Sequence, residues 1–281
     1  MSTVPYPPQR QLSVGEVLDL SFRIYRATFV KCLLFATCGV VAGQLAGIYA
    51  LVQGRAGAQG PASMAGMLTL MQDRTLIALY LVGIVLTLMF NAAVLLRQRA
   101  MITDGAVGGE LTAALRRTPA LVALVILMAL ACLACFVPAW AAGGTLRAVL
   151  IVAALIVLCY AVVAISCAVT ILLVEDAGPV ASLARSWRLT TGSFWRLSLI
   201  YTVALIILIA LELVIAAVAG FLAGALAHGD LAMVTAFAEV IGIILGALVT
   251  PFYGALALAV LADLKVRKEG ADLAQRISAT A

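Results

Sequence analysis

Residues 195–224 read WRLSLIYTVALIILIALELVIAAVAGFLAG, with one base, Arg196, at the entry and one carboxylate, Glu212, inside. A bilayer core of about 30 Å takes roughly 20 apolar residues as helix, and only a helix satisfies its own backbone polar groups there, so this stretch reads as a membrane span. Five further runs reach that length, at about 30–53, 75–96, 119–140, 146–174 and 231–263. Of 281 residues 65% are apolar and 11% charged, against about 45–50% and 25% in a soluble domain. With a mean hydropathy of +1.17, no stretch within the chain is polar enough for a separate soluble catalytic domain of ~100 residues. The expected fold is an all-α integral membrane bundle of six transmembrane helices, forming one membrane domain over residues 1–281.

Charge orients the bundle. Lys and Arg number four before the first run, then two, four, one, three and none in successive loops, and four after the last run. The N-terminal segment, the even loops and the C-terminal segment hold 15 of the 18, and basic residues are retained on the cytoplasmic side, so both termini are expected inside. The N-terminus lacks the basic and short apolar regions of a cleavable signal peptide. All six cysteines fall within apolar runs, where they behave as small apolar residues rather than as a disulfide framework.

The chain also matches itself at an offset of 165 residues. Ser21-Phe22-Arg23-Ile24-Tyr25 aligns with Ser186-Trp187-Arg188-Leu189-Thr190, and Thr28-Phe29-Val30-Lys31 with Ser193-Phe194-Trp195-Arg196; a weaker copy runs from Leu111 to Pro119. Each precedes a span, giving three repeats of an amphipathic helix plus a transmembrane hairpin, at about 12–97, 105–174 and 178–264. Val14, Val17, Leu18, Ser21, Phe22 and Tyr25 form one face of the first helix; Val180, Leu183, Ala184 and Trp187 form that of the last, with Pro179 suited to its first turn. Such helices lie at the interface, aromatic groups at headgroup depth and Arg toward anionic lipid phosphates. The expected interface residues are Phe22, Arg23, Arg26, Arg116, Arg117, Arg185, Trp187 and Arg188. The same charges serve equally as orientation signals alone.

The stretch Leu173-Val174-Glu175-Asp176-Ala177-Gly178-Pro179-Val180, continuing through Ala184-Arg185-Ser186-Trp187-Arg188-Leu189-Thr190 to Gly192-Ser193-Phe194-Trp195-Arg196, resembles the membrane domain appended to some bacterial glycerophosphodiester phosphodiesterases. It is similar also to six-span inner-membrane proteins of the YciC-like type, as is the opening Gly15-Glu16-Val17-Leu18-Asp19 to Phe22-Arg23-Ile24-Tyr25-Arg26. The resemblance implies a bacterial inner-membrane location and this architecture. It transfers no catalytic residue: the family's phosphodiesterase activity resides on a separate metal-binding barrel, for which this chain has neither room nor a second histidine.

Within the spans the costly residues are Glu212 and Glu239, with Gln44 at a similar depth if each is counted from the outer surface. The three would make one polar cluster if the first, fifth and sixth spans are neighbours. A protonated Glu bonded between helices and a proton or cation site both fit. Pro251 is expected to kink the sixth span and leave a carbonyl for a neighbour. His228 reads as a turn residue, Cys132 and Cys135 form a C-x-x-C without further ligands, and Asn91 reads as an interhelical hydrogen-bonding residue. No metal site, cofactor, nucleotide motif or nucleic-acid partner is expected. The function expected is a non-enzymatic inner-membrane protein associating with lipids or a membrane-protein partner in envelope maintenance, with a small transporter or channel at Glu212 and Glu239 as the alternative.

Overall fold

A computed structural model describes residues 6–53, 73–103, 105, 107–226 and 231–280. Among these residues the chain forms nine helices and no strand: α1 (Val14–Gly43), α2 (Leu45–Val52), α3 (Arg74–Ile102), α4 (Glu110–Ala141), α5 (Gly144–Ile165), α6 (Ala168–Glu175), α7 (Pro179–Thr190), α8 (Phe194–Leu226) and α9 (Leu231–Thr280). Six helical stretches, with α5 and α6 counted together, are long and apolar enough to cross a membrane. The protein is an all-α membrane bundle.

Local chemistry starts these helices where polar residues meet apolar ones. Ser13 caps α1 in a capping box: its Oγ accepts from Glu16 N–H at 3.3 Å, while its own N–H donates to Glu16 Oε2 at 2.7 Å. Asp73 caps α3 by accepting from Thr75 N–H at 2.9 Å. Pro179 sits in the first turn of α7, where its missing N–H costs nothing.

Three arrangements differ from the sequence reading. The first and second amphipathic segments are not separate interfacial helices: residues 14–26 run unbroken into the first span as α1, and Leu111–Pro119 lies within α4. Only the third stands alone, as α7. The physical difference is one residue, because Ala27 continues the helix in the first copy whereas its counterpart Gly192 takes a φ of 80° that ends one. Second, Arg97, Arg99, Arg116 and Arg117 are helical rather than loop residues, since α3 continues to Ile102 and α4 starts at Glu110. Third, the fourth run is broken instead of merely long. Ser166 N–H turns back to Val163 C=O at 3.3 Å, and the ladder resumes with Ile171 N–H on Cys167 C=O.

The buried core gathers at one end of the bundle. There α9 is surrounded from Ala255 to Leu264, against Val17, Leu20 and Ile24 of α1, Leu197 and Ile200 of α8, and Ile171, Leu172 and Leu173 of α6. Half of the sixth span's most apolar window is buried, against about a tenth of the third, fourth and fifth. Small residues let the central helices approach closely: a Cβ on Gly83 would lie 2.6 Å from Ala42 C=O, and one on Gly246 would lie 2.9 Å from the Val40 methyls. Near Pro251 two α9 carbonyls accept from neighbouring helices, though neither is Ala247 C=O, the one that the missing proline N–H leaves without its helical donor. Tyr25 Oη donates to Leu248 C=O at 3.2 Å, and buried Gln98 donates through Nε2 to Pro251 C=O at 2.7 Å.

Helices α3, α4, α5, α8 and α9 touch in a closed sequence, each against the next, and α1 packs against α3, α9 and α8. The short helix α6 contacts α3, α4, α7 and α9 at the end that carries the core.

Candidate functional site

The charged residues of the helix ends meet at the core end. Asp263, 1% exposed, accepts from Arg196 Nη1 at 2.6 Å, from Arg267 Nε at 3.0 Å and from Leu12 N–H at 2.8 Å. Arg196 and Arg267 both donate as well to Leu12 C=O, so the segment ahead of α1 is tied to α8 and α9 by one buried carboxylate. A second knot forms around Glu175, which pairs with Arg185 and Lys265, each at 2.6 Å; Arg185 also reaches Glu269 at 2.7 Å. The last carbonyls of α6, otherwise orphaned, accept from arginines of adjacent helices: Leu173 from Arg117 and Val174 from Arg99. Tyr6 packs beside this region, and burial raises its phenol above the ordinary range, with Arg99 opposing the shift.

The eight expected interface residues therefore divide. Arg117 and Arg185 are engaged inside the protein, Arg117 with Leu173 C=O and Asp176, Arg185 with two glutamates, so neither has a guanidinium free for a headgroup. Arg23 pairs with Asp19 one turn away at 2.9 Å, with both side chains well exposed. Phe22 lies 4.9 Å from the Phe252 ring. Arg26, Arg116 and Arg188 are exposed and have no hydrogen bond or ion pair among the described residues. Trp187 meets Tyr160 edge-on at 5.5 Å and lines an apolar cleft of about 350 Å³ between α4, α5 and α7. Met128, Cys132, Cys135, Leu158 and Leu183 complete much of that wall.

The three polar residues expected to be buried within the spans are each part-exposed, and two of them come together. A Cβ on Gly47 would lie 3.6 Å from Glu239 Oε1 and 3.7 Å from Gln44 Oε1, so both side chains converge over that glycine. Glu212 is set deeper. Because α8 runs on to Leu226, Glu212 lies 14 residues from its C-terminal end, about 21 Å, whereas Glu239 lies 8 residues from the start of α9, about 12 Å. The similar depth expected of the two carboxylates is therefore not what the helix lengths give.

Asn91, expected to bond an adjacent helix, has no hydrogen bond among the described residues and lines a second cleft, of about 270 Å³. No group of three or more His, Cys, Asp or Glu suited to a metal occurs among the described residues. His228 lies outside them.

Reading by residue type misses Asp263, Arg196 and Gln98 as structural centres. In sequence, Arg196 and the bases after Asp263 count only as orientation charges, and a lone acid preceding Lys265, Arg267 and Lys268 is the available signal. Nothing local marks Gln98, whose partners lie 70 and 153 positions away. No family model matches the chain, and no curated protein and no solved structure matches it either.

Proposed function

We propose that this chain is a non-enzymatic protein of the bacterial inner membrane, both termini cytoplasmic, that associates with anionic lipid and serves envelope maintenance. The observation that carries the reading is the apolar cleft between α4, α5 and α7, with Trp187 in its wall and the next residue, Arg188, exposed and unpaired among the described residues. An acyl chain laid along that cleft would put a phosphate within reach of Arg188, with the indole at headgroup depth. Kinship with the membrane domain of glycerophosphodiester phosphodiesterases belongs to the same reading and supplies its location. The convergence of Glu239 and Gln44 over Gly47 supports a second reading, a small transporter or channel, in which Glu212 would occupy a separate level.

The test uses the three unpaired bases. Each basic contact near an anionic surface is worth about 1 kcal/mol, so Arg26→Glu, Arg116→Glu and Arg188→Glu together should weaken retention of phosphatidylglycerol more than tenfold in native mass spectrometry. Trp187→Ala should weaken it independently of headgroup charge. Unchanged retention by a folded triple variant would leave these residues as orientation signals only.

A further inference from the structure

The second cleft is lined by residues of α3, α4, α6 and α9, with Ser166 from the break between α5 and α6. Its lining includes Leu88, Val94, Leu95, Leu121, Val169 and Leu173, but five uncharged polar side chains converge on it: Asn91, Ser166, Thr170, Thr250 and Tyr253. Ser166 Oγ donates to Val163 C=O at 2.8 Å. The other four have no hydrogen bond among the described residues. Thr170 is the sharpest case, since it is 1% exposed and still lacks a partner. A polar group withdrawn from water without a hydrogen bond is costly, more so inside a membrane, so the buried Thr170 hydroxyl calls for a partner in this space, which the more exposed Asn91, Thr250 and Tyr253 also border.

The break in the spanning helix falls at this place. Ser166 ends the α5 ladder and Thr170 lies in the first turn of α6. Irregular backbone at membrane depth is tolerated where it lines a cavity, and interrupted helices recur at binding sites within membranes. Asn91 lies seven residues before Gln98 on α3, about 10 Å farther into the span. Tyr253 is 52% exposed although the α9 residues just beyond it, from Ala255, are enclosed, so the cleft is open at its level.

We propose that this cleft binds an uncharged lipid through hydrogen-bonding oxygens on its head, the chemistry shared by a diacylglycerol and a lipid quinone. Among the described residues no carboxylate or base lines the cleft, so a charged headgroup would have no counterion there. The amide of Asn91 and the hydroxyls of Thr170, Thr250 and Tyr253 donate and accept, which suits ester, ketone or hydroxyl oxygens. The remaining wall is aliphatic, as expected of a site that encloses an apolar body and orients it by a few polar contacts. Its volume of about 270 Å³ far exceeds the share of one water, ~30 Å³. This site is distinct from the cleft beside α7 and does not depend on lipid binding there.

The experiment uses the full chain in phosphatidylcholine nanodiscs, with dioctanoylglycerol and decylubiquinone as probes and thermal unfolding as the readout. At least one probe should raise Tm saturably, by about 3–6 °C, as a ligand bound only to the folded state does. Asn91→Leu with Thr170→Val should abolish that rise. Without probe, the same variant should be at least as stable as the parent, because it removes unpartnered polar groups rather than bonds in use. Tyr253→Phe, which deletes one hydroxyl at an accessible position, provides a second variant and should reduce the shift. No shift with either probe, or an equal shift in parent and both variants, overturns the proposal. So does an equal response to glycerol, which would place the source in water, or a larger response to dioctanoyl phosphatidic acid, which would require a charged head. Because none of these variants touches Arg188 or Trp187, phosphatidylglycerol retention should persist in all of them.

Discussion

Removing the Asp263 carboxylate is the most demanding perturbation of the core end. The group is 1% exposed and receives Arg196, Arg267 and Leu12 N–H, while the two arginine side chains are 20% and 25% exposed. In Asp263→Ala both guanidinium groups lose their counterion in a partly desolvated site, which costs about 3–5 kcal/mol. At roughly 2–4 °C per kcal/mol for a chain of this size, Tm should fall by about 6–20 °C. Asp263→Asn retains an acceptor for Leu12 N–H and loses the charge, so about half of that loss is expected, in line with the ratio of charged to neutral hydrogen bonds. A double-mutant cycle with Arg196→Met should give a coupling of at least ~1 kcal/mol. The assay is thermal unfolding in nanodiscs, accompanied by trypsin cleavage after Arg10, which should accelerate once Leu12 is released from α8 and α9. An Asp263→Ala protein within about 2 °C of the parent, with unchanged cleavage at Arg10, would refute the argument that this carboxylate holds the N-terminal segment to the bundle.

Three further outcomes follow from the geometry. Gly83→Val places side-chain carbon against Ala42 C=O, where even a Cβ would stand at 2.6 Å, so it should separate α1 from α3 and lower stability by about 1–3 kcal/mol, measured by the same unfolding assay. In a cysteine-free variant, Gly143→Cys should react with an impermeant thiol reagent from outside intact cells and Gly178→Cys should not; the reverse pattern would invert the orientation read from the basic residues. Glu212→Gln and Glu239→Gln preserve volume and hydrogen bonding, so stability should change little, and proton flux in liposomes should be no different from that of the parent; flux abolished by either substitution would promote the transporter reading.

Composition and local pattern suffice for the part of the fold that lies along the chain. Helices in lipid are compelled by the backbone, so six apolar runs already imply six spans, and residues 195–224 show it without reference to any other segment. Ser13 and Glu16, Asp73 and Pro179 likewise announce helix starts, because capping is decided over three or four residues. Where the charges go is settled by packing. A run of Arg and Lys beside a span is an orientation signal in sequence, yet Arg117, Arg185 and Arg196 are drawn into carbonyls and carboxylates from distant segments, leaving Arg26, Arg116 and Arg188 outward. In the same way Glu239 and Gln44 converge over Gly47, a meeting of two distant spans that the apolar pattern of either span does not encode. Hydrophobicity reports the preference of each residue for its surroundings, whereas pairing depends on the distances and facing directions set when the helices pack.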